Sequence, residues 1–134
     1  MLRSLLLVCA TLLPLATAAQ RDPSAENNCY SRLSHDSMRA CIKEQSAAAT
    51  KELESAEKLL ASTIQRELHN SKTSARQHLT QANAKYRQYR KAQCSFQAQA
   101  ATGKKSAPDR EMLCTTALDL QRAKDLHATI ETLR

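Results

Sequence analysis

The chain has 134 residues, a net charge of +7, a single glycine, a single phenylalanine and no tryptophan. A sheet protein would draw on turn glycines and on β-branched and aromatic residues, and one glycine excludes a Gly-rich phosphate loop. Ala, Leu, Gln, Lys and Glu dominate instead, all helix formers. The expected class is therefore all-α.

The opening MLRSLLLVCATLLPLATAAQ has one arginine, an apolar run from Leu5 to Leu15 and then small residues. That three-part pattern reads as an export signal, with cleavage after Ala18 or Ala19. The run is too short to span a bilayer, which takes about 20 apolar residues. Residues 1–19 are thus expected to be a cleaved signal peptide and residues 20–134 one helical domain, periplasmic or secreted, with no transmembrane segment left. Cleavage also removes Cys9, so five cysteines become four: Cys29, Cys41, Cys94 and Cys114. An even number in an exported chain implies two disulfides, with three pairings open at this point.

QRDPSAENN, residues 20–28, is a polar lead-in, followed by a short segment that restarts near Ser34 to Ser37. Met38, Ile42, Gln45, Ala49, Leu53, Ala56, Leu60, Ile64 and Leu68 then recur in steps of three and four, one apolar stripe of a long helix. HNSKTS, residues 69–74, breaks the pattern, and Ser74 with Gln77 offers a capping box for a second helix. Its expected buried stripe is Ala75, Leu79, Ala82, Tyr86, Tyr89, Gln93 and Phe96. ATGKKSAPD, residues 101–109, is the next break; Ser106 can cap a third helix with Pro108 in its first turn. The third stripe is Met112, Leu113, Thr116, Leu120, Ala123, His127, Ile130 and Leu133.

Three main helices on short connections predict a small antiparallel bundle with a short N-terminal segment. In that topology Cys94 and Cys114 flank a hairpin tip at Gly103 to Ser106, and Cys29 and Cys41 flank the turn at Leu33 to Asp36. Local pairing, Cys29 with Cys41 and Cys94 with Cys114, is the expectation. Two such bridges suit a core made only of Leu, Ala, Ile and Met.

The cysteine frame and its surroundings resemble the LprI-type lysozyme inhibitor family of small exported proteins. Leu53 follows the second cysteine by twelve residues; LTQANAKYRQYRKAQC carries Tyr89, Arg90 and Cys94; CTTALDLQRAKDL carries Cys114, Arg122 and Leu126. The chain departs from the pattern at Tyr86, usually tryptophan, at Lys91 and Thr50, usually aspartates, and at Glu54, usually asparagine. The resemblance implies an exported binding protein that blocks a lysozyme cleft, with Tyr89, Arg90 and Arg122 as structural anchors. Arg90 is then expected to pair with Asp119 or Glu111.

Charge is concentrated in the middle of the chain. Residues 68–110 hold nine basic side chains against Asp109 alone, whereas the flanking regions 20–67 and 111–134 each sum to −1. Such a field gathers anions. Candidate partner-binding residues are Lys104, Lys105 and Ser106 in the loop, where cations would meet the two carboxyl groups of a lysozyme cleft, and Lys85, Arg87 and Lys91 on the helix. The partner is then a lysozyme or another lytic enzyme. The alternative is an anionic envelope component: lipopolysaccharide phosphate, released nucleic acid or anionic lipid. The export signal argues against intracellular nucleic acid. His35, His69, His78 and His127 show no metal-ligand spacing, so no catalytic residue, metal or cofactor is expected.

Overall fold

The computed structural model describes residues 29–32, 34–68, 71–100 and 106–134, which form three long helices: α1 (His35–Glu67), α2 (Lys72–Ala100) and α3 (Ala107–Leu133). The expected signal peptide at residues 1–19 lies outside them. Among the described residues no helix is long and apolar enough to cross a membrane.

Local chemistry sets the helix ends. Ser34 caps α1 through a reciprocal box with Ser37: the Ser37 N–H donates to Ser34 Oγ at 3.2 Å and the Ser34 N–H to Ser37 Oγ at 3.4 Å. Ser106 caps α3 as expected, its Oγ accepting from the Asp109 N–H at 3.3 Å, with Pro108 in the first turn where no N–H is needed. The start of α2 differs from the expectation. The Ala75 N–H bonds to the Ser71 carbonyl at 2.9 Å, so the helix begins at Lys72 and Ser74 lies inside it. Four consecutive residues, Ser71 to Ser74, include three hydroxyls able to cap, and the sequence alone does not rank them.

Consecutive helices run antiparallel, and α1 and α3 are parallel and most closely packed. Their seam holds the main core: Leu53, Ala56, Leu60 and Ile64 of α1 meet Ala123, Leu126 and Ile130 of α3. Leu79 and Tyr86 of α2 close over this seam. A second, smaller cluster joins Cys29, Cys41 and Ile42 to Met38, Met112 and Leu113. Both disulfides form as expected, Cys29–Cys41 and Cys94–Cys114, with Cα–Cα distances of 5.5 and 5.4 Å.

The α1 stripe is the expected one, and on α3 the expected Met112, Leu113, Thr116, Ala123, Ile130 and Leu133 face inward with Leu120 and His127 as the exceptions, but α2 is rotated from its expected phase. On α2 the inward positions are Asn83, Cys94 and Ala98, supported by Leu79, Tyr86 and Arg90, while Ala82, Tyr89 and Phe96 face outward. On α3 Asp119 and Leu126 are buried, whereas Leu120 is exposed and His127 reaches outward to Glu52. In both helices a polar group takes a core position that a purely apolar count gives to its neighbour.

Candidate interaction surface

The rotation of α2 is fixed by a polar cluster around Asp119, which is fully buried. Arg90 Nη1 donates to both carboxylate oxygens at 2.6 Å, Tyr86 Oη donates to Oδ1 at 2.9 Å and Thr50 Oγ1 to Oδ2 at 3.2 Å. One carboxylate therefore ties all three helices. A buried charge needs such a set of donors. Two guanidinium groups lie over the Tyr86 ring, Arg90 at 6.0 Å and Arg122 at 5.6 Å from its centroid. Arg122 also donates to Asn83 Oδ1 at 3.3 Å. Burial, and next the hydrogen bond to Asp119, push the Tyr86 phenol well above its ordinary value, so it stays a donor.

A second polar cluster sits at one end of the bundle, where α2 ends and α3 begins. Arg39 of α1 pairs with Asp109 at 3.1 Å and reaches Ser106 Oγ at 3.3 Å. Arg110 donates to the Ala98 carbonyl at 2.9 Å, satisfying an end of α2 that has no intrahelical donor left. Ser95 Oγ donates to Glu111 at 3.0 Å. With the Cys94–Cys114 bridge, these contacts hold the two helix ends from which residues 101–105 depart.

Hydrogen bonding from Ser106, and next the Arg39 guanidinium, hold the Asp109 carboxyl below its usual range against the opposing effect of burial. A depressed carboxylate contributes stability that is present above its unfolded value, about pH 3.9, and lost as pH falls through the folded value. Melting temperatures measured from pH 7 to pH 2 are expected to fall on the acid side. Asp109→Asn is expected to melt lower at pH 7 and to fall less steeply in acid. Parallel acid limbs for the two proteins would show that this pair does not contribute.

The sequence-derived candidates separate into groups. Lys104 and Lys105 lie outside the described residues. Ser106 is engaged as the α3 cap and as an acceptor for Arg39. Arg87 is tied to Glu57 of α1 at 2.6 Å. Lys85 and Lys91 are exposed and make no ion pair among the described residues. Arg90 and Arg122 are engaged in the polar cluster, but Tyr89 is not packed with them. It is 55% exposed and Phe96 66%, so both are corrected from core to surface. The ion pair of Arg90 with Asp119 and the bridge at Cys94 turn these rings outward. The signal was present in the sequence: stepping back from Cys94 in fours gives Arg90 and Tyr86, not Tyr89.

On the outward side of α2, Lys85, Tyr89, Ala92 and Phe96 are all exposed and, at spacings of four, three and four, lie on one face. No acidic residue occurs between Glu67 and Asp109. Elsewhere an open groove of about 500 Å³ runs between α1 and α3, lined by Lys43, Thr50, Lys51, Glu54 and Met112 among others. Its wall mixes both signs of charge. Among the described residues no group of His, Cys, Asp and Glu is arranged to hold a metal ion.

The model of the family described as lysozyme inhibitor LprI matches residues 25–126, a span that holds all four paired cysteines, Arg90, Asp119 and Arg122. The chain belongs to the LprI lysozyme inhibitor family. No curated protein and no solved structure matches it. The LprI family match and the cysteine frame coincide over the same stretch of chain, so the two bridges and the Asp119 cluster are the scaffold on which this member's exposed residues are set.

Proposed function

We propose that this chain is an exported protein that inhibits a lysozyme by binding it. The observation that carries the reading is the family match over residues 25–126. Two disulfides suit an oxidising compartment outside the cytosol, and the opening segment has the three-part pattern of an export signal. Inhibition of this kind needs no catalysis. Lysozymes work through two carboxyl groups in an open cleft, and a rigid partner seated there keeps substrate out. Preorganisation by covalent bridges lowers the ordering cost of binding. Many lysozymes are themselves cationic overall, so the cleft rather than the whole target supplies the attracting charge.

Oxidised protein lacking residues 1–19 is expected to slow lysis of suspended cell walls by at least one of the c-type, g-type and phage-type lysozymes, saturating near one equivalent. Full lytic activity of every enzyme at excess inhibitor would remove the reading. A second reading is favoured by the run without acids from residue 68 to 108. In it, α2 binds an envelope polyanion such as lipopolysaccharide phosphate. Binding would then weaken steeply with added salt through counterion release.

A further inference from the structure

We infer that the outward face of α2, carrying Lys85, Tyr89, Ala92 and Phe96, is the surface that enters the carboxylate-bearing cleft of the target lysozyme. The inference rests on the inhibitory reading above and names the contact that reading leaves open. Tyr89 and Phe96 are 55% and 66% exposed, the two most exposed large apolar side chains among the described residues. Both stand on the same helix face. Exposed aromatics grouped on one face mark an interaction site, and Tyr and other large rings dominate the binding energy at interface centres. An amphipathic helix laid into a groove reads as anchors at i, i+4 and i+7, and Lys85, Tyr89 and Ala92 fall at those positions with Phe96 one turn further on.

Charge selects the occupant. Exposed cations on α1 and α3 are interspersed with exposed acids, such as Glu44, Glu52 and Glu54 on α1 and Asp125 and Glu131 on α3. The α2 segment has none. A second copy of this chain would bring like charges together across such a face, which costs free energy. A cleft holding a general acid and a second carboxylate offers the opposite sign, and an open sugar-binding cleft has room for two rings. The Asp119 cluster and the Cys94–Cys114 bridge hold α2 from its inner side, so the outer rings are presented without reordering.

The test is an inhibition titration with the oxidised protein against the lysozyme it blocks. Three variants are compared with the wild type: Tyr89→Ala/Phe96→Ala, Lys85→Glu, and Lys58→Glu on the exposed side of α1 as a matched charge change. The first two are expected to raise the half-inhibiting concentration about tenfold or more, with unchanged circular dichroism and melting temperature. Lys58→Glu should stay within about twofold, since rim-remote surface charges contribute little. A soluble N-acetylglucosamine oligomer, which occupies the cleft, is expected to compete with the wild-type protein. Wild-type potency in either face variant, equal loss in Lys58→Glu, or no competition by the oligomer would overturn this surface while leaving inhibition standing. Failure of the wild type to inhibit any lysozyme would overturn the parent reading and this inference with it. Sedimentation with phosphatidylglycerol vesicles in place of lysozyme binding would assign the face to lipid and overturn the inference as well.

Discussion

Replacing Asp119 with alanine is expected to lower the unfolding free energy by about 3–5 kcal/mol, the range for removing one partner of a buried ion pair. The effect is large because one carboxylate serves three donors on two other helices: Arg90 and Tyr86 on α2 and Thr50 on α1. Its removal strands the Arg90 charge, whose side chain is only 23% exposed, and leaves the Tyr86 hydroxyl without its acceptor. Total stability of a domain this size is about 5–15 kcal/mol, so the variant is expected to be partly unfolded near physiological temperature. Asp119→Asn keeps the shape and one acceptor but not the charge, and an intermediate loss is expected. The same variant should lower the Tyr86 phenol without restoring its ordinary value, since burial is the largest of the three causes that raise it, ahead of the hydrogen bond to Asp119 and the Asp119 charge. Urea unfolding followed by circular dichroism measures the first effect and ultraviolet titration of tyrosine the second. A loss below about 1 kcal/mol for the alanine variant, the worth of a single neutral hydrogen bond, would show that the cluster is not what orients α2.

The Asp119 cluster also explains what was legible in the sequence and what was not. The all-α class, both bridges and the α3 cap at Ser106 followed from composition, cysteine placement and local capping chemistry, because each depends on residues close together in sequence. The rotation of α2 did not follow. An apolar count favours Ala82, Tyr89 and Phe96, yet Asn83, Arg90 and Cys94 face inward because their partners Arg122, Asp119 and Cys114 lie on another helix. A helix poor in aliphatic residues takes its phase from its polar and covalent partners. Tyr86 and Thr50, two of the positions where the chain departs from the pattern it resembles, both place a hydroxyl on Asp119. The outward aromatic face became visible only when the inward face was assigned.

Removing the Cys94–Cys114 bridge by a Cys94→Ser/Cys114→Ser double substitution is expected to cost about 3 kcal/mol, from closing a loop with a sequence separation of 20. The loss should not be uniform. The buried residues of α2 are only Asn83, Cys94 and Ala98, so its C-terminal half has almost no apolar hold besides the bridge. The core between α1 and α3 is built from Leu53, Leu60, Ile64, Leu126 and Ile130 and does not include the bridge. Amide exchange is therefore expected to quicken first in residues 90–100, while the amides of α1 and α3 that flank the main core keep their protection. Cys29→Ser/Cys41→Ser is expected to differ: that bridge has a separation of 12 and clips the short segment 29–32 onto α1, so its loss uncovers Ile42 rather than loosening α2. Uniform loss of protection along the chain in the first variant would mean that α2 does not fray separately. Phe96 lies two residues beyond Cys94, so the fraying predicted here reaches the proposed contact face. Inhibition by the Cys94→Ser/Cys114→Ser protein should accordingly weaken at temperatures where α1 and α3 remain folded, and undiminished potency there would separate inhibition from the rigidity of α2.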